Sequence, residues 1–365
     1  MRRILLTGAG GPAGVNFVEA LRLASEPFFV IGTDINRWHL ELSNADKTFI
    51  VPRCSDPSYI DVLNHIIDVD KIDFLHPQPD VEVRVISENR ERLHAKTFLP
   101  SKDTVRVCQD KYLSAVRWDK NGVPVARAID LRDEHLVDDL ARAFDELGNT
   151  IWIRAKTGAG GRGSTPADSL EVAEHWIRYW RGRGKPWDFF AQEYLPGDNI
   201  AFQSVFLDGE PVTSQARQRL EYIYPYLAPS GITGTPAVAK TIHSDKVNST
   251  AIQAVQAIDE KASGIFCVDL RDNKDGEPHP TEINCGRFFT TSAFFAHLGA
   301  KLSLLYANMP FVYVKLGFGE SLGESPPRTN AVPAGYYWIR HIDCGHHLVK
   351  EGEWSSELVK RGQGH

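Results

Sequence analysis

The sequence predicts an N-terminal α/β region with a doubly wound parallel sheet, followed by α+β regions built on antiparallel sheets. Residues 3–99 alternate short apolar strands with helical patterns, which indicates repeated β-α units. Beyond residue 100, strands come in pairs joined by short turns. A chain of 365 residues also exceeds one ordinary hydrophobic core. We therefore expect four segments, at residues 1–100, 101–190, 191–320 and 321–365, the last being a C-terminal extension.

The composition excludes several classes of protein. The formal net charge of −6 argues against a nucleic-acid partner. Five cysteines at irregular spacing argue against a disulfide framework and for a reducing compartment. No apolar run approaches the ~20 residues that a membrane span needs. We expect a cytoplasmic protein with small-molecule partners, without nucleic-acid or membrane partners, and with a homodimer as its candidate assembly.

The elements follow from apolar periodicity and turn residues. In the first segment we predict strands at 4–6, 28–31, 49–51 and 72–75, and helices at 15–23 and 59–67. In the later segments we predict helices at 110–120, 136–147 and 170–180, and strands at 151–153, 189–192, 200–207 and 211–214. Two further strands within 264–288 flank a turn at 273–276. The last ~45 residues are rich in Gly, Pro and aromatic residues, and their pattern predicts little regular secondary structure.

A first glycine-rich loop, Gly8-x-Gly10-Gly11-x-x-Gly14, follows a predicted strand and opens a helix. Asp34 ends the next strand about twenty residues on, the context that a dinucleotide fingerprint requires. This pattern allows an NAD-dependent reductase, although no Tyr-x-x-x-Lys pair of a short-chain reductase occurs. Alternatively, the glycines only permit a tight strand-to-helix turn.

A second glycine-rich loop lies in 151-IWIRAKTGAGGRGS-164. It lacks the Gly-Lys-Ser/Thr ending of a P-loop. Its glycines, Gly158, Gly160, Gly161 and Gly163, allow backbone N–H groups to turn toward one anion, and Arg154 supplies a fork for phosphate. The alternative is a flexible hairpin tip.

Oxygen donors cluster further along the chain, in 264-GIFCVDLRDNKDGEPHPTEINCGRF-288. Strand alternation places Glu282 and Asn284 on one face, and Asp269 on the neighbouring strand can converge with them. Hard oxygen ligands suit Mg²⁺, which usually takes one or two carboxylates together with substrate phosphates. We therefore predict a metal site at Asp269, Glu282 and Asn284; the alternative is the polar outer face of a hairpin.

Together these motifs resemble the ATP-grasp enzymes, most closely a synthetase half of the carbamoyl-phosphate synthetase large chain, over about residues 1–310. The resemblance implies a pre-ATP-grasp α/β domain at 1–100 that shapes the substrate site without binding NAD. It also implies ATP-grasp domains, with the glycine-rich loop in the first subdomain at 101–190 and the metal site in the second at 191–320.

The resemblance further implies how ATP is held. Asp110-Lys111 looks like the pair that starts the ATP-grasp domain, with Lys111 on the phosphates. Arg154 stands six residues before Gly160-Gly161-x-Gly163, as the phosphate-binding arginine does in the carbamoyl-phosphate synthetase type. The segment 192-QEYLPG-197 looks like the hinge that contacts adenine through Glu193, Tyr194 and Leu195.

The metal motif and the ribose position depart from the family pattern. The usual Glu-x-Asn-x-Arg is one residue longer here, ending at Arg287, which looks like the catalytic arginine that stabilises the transferring phosphoryl group. Asn199 replaces the ribose-binding acidic residue, unless Asp198 takes that role. The first metal position is Asp269, shorter than a glutamate.

The implied activity is that of an ATP-dependent carboxylate–amine ligase, which forms a C–N bond. ATP would activate a small-molecule carboxylate as an acyl-phosphate, an amine would displace phosphate, and Mg²⁺ or Mn²⁺ would be the metal. One alternative is a carbamoyl-phosphate synthetase-like enzyme that phosphorylates bicarbonate or carbamate. Others are an NAD-dependent reductase and a non-catalytic nucleotide sensor. Arg217 and Arg219 either bind an acidic substrate or are charges on an exposed strand.

Overall fold

The computed structural model describes residues 1–158, 161–184, 187–323, 325–342 and 346–353. Within these ranges the strands form one four-stranded parallel sheet, one four-stranded antiparallel sheet and one seven-stranded antiparallel sheet. None of the helices in these ranges is both long enough and apolar enough to cross a bilayer. The predicted fold class, a parallel α/β region followed by α+β regions, is confirmed.

The parallel N-terminal sheet has the strand order β3-β2-β1-β4. Its strands are β1 (Arg2–Thr7), β2 (Phe28–Asp34), β3 (Lys47–Ile50) and β4 (Phe74–His76), and its helices are α1 (Pro12–Arg22), α2 (Arg37–Leu40), α3 (Tyr59–Asp70) and α4 (Asp80–Glu88). Each strand feeds a helix that covers a sheet face, and buried Leu63 and Val18 illustrate the two covering layers. Parallel strands end at one common edge, so the loops after β1 and β4 lie together there.

The small antiparallel sheet has the order β5-β8-β6-β7. It follows two helices, α5 (Lys102–Cys108) and α6 (Lys111–Lys120). Its elements are β5 (Ala128–Leu131), α7 (Leu136–Leu147), β6 (Ile151–Ala155), β7 (Thr165–Ala167), α8 (Leu170–Gly182) and β8 (Phe189–Glu193). The strands and helices α7 and α8 share a core that includes Leu140, Ile153 and Ile177, each fully buried.

The large sheet has the order β13-β12-β9-β10-β11-β14-β15. Its elements are β9 (Asn199–Leu207), β10 (Glu210–Tyr222), β11 (Pro236–Ile242), α9 (Asp245–Ile258), β12 (Gly264–Asp272), β13 (Pro278–Cys285), α10 (Ala293–Leu302), α11 (Met309–Gly317), β14 (Tyr336–Arg340) and β15 (His346–Lys350). Helices α5, α6 and α9 pack on one face. The other face shares a core with α1, α10 and α11, which joins this sheet to the N-terminal sheet.

Several elements exceed the sequence prediction. Strand β10 runs for 13 residues rather than the four predicted at 211–214. Helices α4, α9, α10 and α11 and strands β14 and β15 were not assigned from sequence. Because β14 pairs with β11, the described part of the C-terminal extension continues the large sheet. The four segment boundaries stay predictions.

Candidate active site

A cavity of about 500 Å³ lies where the three sheets meet. One end is lined by the segment that joins the small sheet to the large one, including Glu193, Tyr194 and Leu195. The other end is lined by the first glycine-rich loop and by Thr290 and Thr291, which precede α10. Among its described lining residues, seven Lys or Arg side chains face four carboxylates, although the whole chain is acidic. The cavity therefore favours anionic ligands.

Lys111 is the first residue of α6, and this position places it in the cavity. Asp110 caps this helix by accepting hydrogen bonds from the backbone N–H groups of Tyr112 and Leu113. Lys111 is the next residue, and its Nζ donates to the carbonyl oxygen of Gly158 at 2.6 Å. The same Nζ lies 3.3 Å from Oε2 of Glu282. The Asp110-Lys111 pair thus connects the second glycine-rich loop to a predicted metal ligand.

Arg154 lies on β6 and reaches across to the large sheet. Its Nη1 donates to the carbonyl oxygen of Thr281 at 2.8 Å and to Oε1 of Gln192 at 3.3 Å. Its Nη2 donates to Oε2 of Glu282 at 3.2 Å. The side chain is buried, and burial lowers the pKa of its guanidinium. Two cations therefore converge on one carboxylate oxygen, the kind of cationic site that phosphate oxygens occupy.

The three predicted metal ligands lie together on adjacent strands. Asp269 on β12 is directly opposite Glu282 on β13, and Nδ2 of Asn284 donates to Oδ2 of Asp269 at 3.1 Å. Burial raises the pKa of Asp269. Burial alone would also raise the pKa of Glu282. The positive charges of Lys111 and Arg154 together have the larger effect, so the pKa of Glu282 is lowered. The two carboxylates share one charge-balanced cluster.

A β-bulge sets the position of Glu282. The ladder pairs Leu270 with Pro280 and then Asp269 with Glu282, so Thr281 is the extra residue. The carbonyl oxygen of Thr281 accepts from Arg154, and its hydroxyl donates to the carbonyl oxygen of Asp269 at 3.1 Å. Bulges re-aim side chains next to functional sites. Here the bulge turns Glu282 to the cavity face.

The donor set fits Mg²⁺. Asp269, Glu282 and Asn284 offer two carboxylates and one amide oxygen, which are hard ligands. In the described part of the chain, no group of three or more His, Cys, Asp and Glu side chains could hold a metal by itself. Such an incomplete set suits an ion whose remaining ligands are phosphate oxygens and water.

Arg287 lies beside this cluster and bridges two segments. Its Nε donates to Oδ1 of Asp80 and its Nη2 donates to Oδ1 of Asn284. Asp80 begins α4 at the common edge of the parallel sheet. The guanidinium therefore stands between the metal candidates and the N-terminal parallel sheet, and it lines the cavity. The extra residue before Arg287 does not remove it from the site.

The second glycine-rich loop lies at the cavity wall. Gly158, Gly161 and Gly163 adopt φ values of 113°, 69° and 75°, which L side chains rarely adopt. Gly158 and Gly161 line the cavity. A Cβ on Gly161 would lie 2.8 Å from the carbonyl oxygen of Ile232, so this loop meets the segment after β10. Gly160, the fourth predicted glycine, lies outside the described residues.

The hinge residues line the opposite end of the cavity. The rings of Trp152 and Tyr194 lie 6.2 Å apart between centroids, and the guanidinium carbon of Arg271 lies 5.7 Å from the Tyr194 centroid. Leu195 is buried there. Asn199 also lines the cavity, and its Oδ1 accepts from Arg219 at 3.1 Å. These flat apolar and cationic surfaces suit a purine ring and its ribose.

The first glycine-rich loop is packed tightly. Asp34, the candidate ribose ligand of a dinucleotide site, instead accepts from the backbone N–H of Gly10 at 3.3 Å and of Asn36 at 2.9 Å. Asp34 is buried, so it braces the loop. Gly11 and Gly14 nevertheless line the end of the cavity away from the hinge. This arrangement favours a structural and substrate-facing role over dinucleotide binding.

Sequence reasoning missed Asp80, Trp152 and the Thr281 bulge. Asp80 follows β4 at the edge where parallel sheets bind ligands, and this position was the available signal. Trp152 lies in the predicted strand before the second loop and carries no polar signature. The bulge has no sequence signal, because Thr281 fits a regular strand equally well.

Comparison with solved structures defines the class of fold. Carboxyaminoimidazole ribonucleotide synthase from Aspergillus clavatus, in complex with ATP, superposes with a TM-score of 0.68 at 16% identity, over 93% of this chain and 81% of that one. Biotin carboxylase from Campylobacter jejuni gives 0.66 at 16% identity, over 92% and 74%. L-amino acid ligase from Bacillus licheniformis gives 0.63 at 15% identity, over 93% and 79%. The chain therefore has the ATP-grasp fold, and the predicted resemblance is confirmed at that level.

The N-terminal segment also matches a protein family. Residues 4–98 match the family described as PylC-like, N-terminal domain. No protein with a curated description matches the chain significantly. The match covers the parallel sheet and its helices, and it lies within the segment predicted at residues 1–100.

Proposed function

We propose that the protein is an ATP-dependent ligase that activates a small-molecule carboxylate as an acyl-phosphate for attack by an amine. One observation carries the proposal: side chains from four separate sequence motifs, Lys111, Arg154, Glu282 and Arg287, line one cavity, and the first three form one ion cluster. The described similarities to a synthase, a carboxylase and an amino acid ligase support the same reaction class.

In this proposal each group of residues has its own role. The hinge, with Tyr194 and Leu195, holds the adenine, while Lys111 and Arg154 bind phosphate oxygens. Asp269, Glu282 and Asn284 would hold Mg²⁺, which when bound neutralises charge on the phosphates of ATP. The second glycine-rich loop covers the phosphates and excludes water, since acyl-phosphates hydrolyse readily.

The chemical steps balance without a further reactant. A carboxylate oxygen of the acid attacks the γ-phosphorus, the bond to the β-phosphate oxygen breaks, and ADP leaves. The amine nitrogen then attacks the acyl carbon, the C–O bond to phosphate breaks, and the nitrogen gives up a proton. Arg287, which donates a hydrogen bond to Asn284, would stabilise the negative charge that develops on the carboxylate and the transferring phosphoryl group.

A screen of acids and amines for stimulated ADP formation tests this proposal. Ligation requires both an acid and an amine, and the amide product should be detected by mass spectrometry. Stimulation by bicarbonate alone would favour the carbamoyl-phosphate synthetase-like alternative, to which the fold similarity with a biotin carboxylase also points. Tight binding of MgADP without any stimulated turnover would favour a nucleotide sensor. Finer points, namely the use of Mn²⁺, a homodimer and cytoplasmic localisation, stay predictions.

A further inference from the structure

Four arginines lie at or near the segment 287–290, and they differ in how their charges are satisfied: Arg217, Arg219, Arg287 and Arg340. The first three line the cavity. Arg219 donates to Oδ1 of Asp269 at 2.5 Å, and Arg287 pairs with Asp80. Arg340 donates to the carbonyl oxygens of Pro236 and Thr290, at 3.1 and 3.0 Å. Each of these guanidinium groups thus has a fixed acceptor, and the acidic residues of this region are already engaged.

Arg217 is the exception. Its side chain is 0% exposed, and none of its three guanidinium nitrogens has a hydrogen-bond partner among the described residues. Its guanidinium carbon lies 4.9 Å from the ring centroid of Phe289 and 5.2 Å from that of Phe295. Burial, with the nearby charge of Arg219, lowers the pKa of Arg217 to about 9, so the group still carries its charge at neutral pH. Burying an unpaired guanidinium is strongly unfavourable.

The sheet register places Arg217 beside the reacting centre. Arg217 is directly opposite Ala201, Ala201 is opposite Asp269, and Asp269 is opposite Glu282. Directly opposite residues share a face, and Arg217, Asp269 and Glu282 all line the cavity. Two strand spacings separate Arg217 from Asp269, roughly 10 Å between Cα atoms. A small molecule that reaches the metal candidates with one end therefore meets Arg217 with the other.

A second polar group at this end also lacks a partner. Thr291 is fully buried and lines the cavity, and its hydroxyl makes no hydrogen bond within the described ranges. The Phe289 ring stacks near Arg217 and belongs to the same segment before α10. A planar guanidinium flanked by aromatic rings keeps its N–H edges free for a carboxylate fork.

We propose that Arg217 binds a second, non-reacting carboxylate of the substrate, so that one of the two molecules being joined is a dicarboxylic acid or an amino acid. This inference rests on the proposed function and specifies its substrate class. A single unpaired guanidinium matches the single charge of a carboxylate, whereas a phosphate dianion calls for further unpaired cations. A substrate analogue that lacks this carboxylate leaves Arg217 unpaired and should bind about 10- to 100-fold more weakly.

Thermal unfolding in the presence of MgADP tests the inference without turnover. The probes are malonate, succinate, glutarate and L-glutamate, each compared with a monocarboxylate of equal carbon number at constant ionic strength. We expect at least one dicarboxylate to raise Tm at concentrations about tenfold lower than its monocarboxylate. Equal effects across every pair would overturn the proposal, and so would stabilisation by inorganic phosphate equal to that by the best dicarboxylate.

Two variants and a control assign the effect to Arg217. Arg217→Met should abolish the dicarboxylate preference, keep the MgADP response and leave ligand-free Tm unchanged or higher, since it removes an unpaired buried charge. A lower ligand-free Tm with an unchanged preference would show a merely structural role and refute the inference. Arg217→Lys should keep part of the preference for dicarboxylates over monocarboxylates. If the Met variant does not fold, an unchanged preference in the Lys variant would refute the inference. Arg84→Met removes an exposed arginine of α4 and should change nothing.

The outcomes separate this inference from the proposed function. If MgADP fails to stabilise the wild-type protein, nucleotide binding itself is absent and the ligase proposal fails. If MgADP stabilises the wild-type protein and the Arg217→Met variant alike while no dicarboxylate preference exists, only the assignment of Arg217 fails.

Discussion

In the first glycine-rich loop, neighbouring backbone excludes a side chain at two positions: a Cβ on Gly10 would lie 2.3 Å from the carbonyl carbon of His39, and one on Gly14 would lie 2.5 Å from the carbonyl oxygen of Gly8. In the second loop, the nearest atom to a Cβ on Gly158 is 3.8 Å away, and the glycine is required by its φ of 113°. Gly10 and Gly14 are therefore required by close packing and Gly158 by its backbone conformation, whereas Gly8 and Gly161 meet both requirements.

Substitutions in the two loops should therefore have different consequences. Changes in the first loop should lower the stability of the N-terminal domain, whereas changes around the second should weaken phosphate binding.

Replacing Glu282 with Gln should nearly abolish ADP formation, by about 10³-fold or more, because it removes a carboxylate that faces both Lys111 and Arg154. The folded state should persist, as judged by circular dichroism. The matched control is Glu277→Gln, an exposed carboxylate before the same strand that pairs with Lys246. Turnover that survives in the Glu282 variant would contradict the assignment of Glu282 as a metal ligand.

Replacing Gly10 with Val should lower the free energy of unfolding by about 3 kcal/mol, since the new side chain meets rigid backbone. Chemical denaturation measures this loss, and calorimetry should find the MgADP affinity of the folded protein unchanged. Gly11→Ala is the control within the same loop, because its nearest contact is 3.5 Å away. A selective loss of MgADP affinity at unchanged stability would contradict the division between the loops.

Replacing Gly163 with Ala should weaken MgADP binding about tenfold at a backbone cost of about 1 kcal/mol. Its φ is 75°, and a Cβ there would lie 3.0 Å from Ala155 and from the ring of Trp187, so the loop must shift. Gly184→Ala has a similar φ of 68° and no neighbour within 4 Å, and it should carry the stability cost alone. Titration calorimetry distinguishes the pair; equal MgADP affinities would place the loop away from the nucleotide.

Replacing Asp34 with Asn should have the smallest effect, about 1 kcal/mol of stability, because the amide keeps one of the two acceptor oxygens that bind Gly10 and Asn36. NADH fluorescence should show no binding to either the wild-type protein or the variant. Binding by the wild-type protein that the substitution removes would restore the reductase hypothesis for the first loop.

Local periodicity predicted much of the fold. Helix α7 begins and ends at the predicted residues, 136 and 147, because its apolar stripe is clear and Gly148 terminates it. The length of strand β10 was underestimated because its inner face carries Arg217 and Arg219. In a sequence, charged residues that line a buried cavity have the same pattern as an exposed surface. Helices α10 and α11 are largely apolar, which hides the amphipathic period.

The candidate site was predicted as a set of residues but not as a network. Strand alternation indicated that Asp269 and Glu282 converge, and the register places them directly opposite each other. The contact of Arg154 with Glu282 joins residues 128 apart in the chain, and that of Asp80 with Arg287 joins residues 207 apart. Such pairings depend on how the three sheets dock, which no local pattern encodes.

The extra residue at Thr281 has a consequence for the evolution and redesign of this hairpin. Counting back from the turn without it would place Thr281 opposite Asp269, and Glu282 would face the apolar layer formed by α5, α6 and α9. The bulge thus shifts the register of β13 against β12 by one residue, so that side chains on either side of Thr281 alternate between the two sheet faces out of step. Shortening the chain by deleting Thr281 would keep Glu282 in line with Asp269, yet it would take away the main-chain anchor of Arg154.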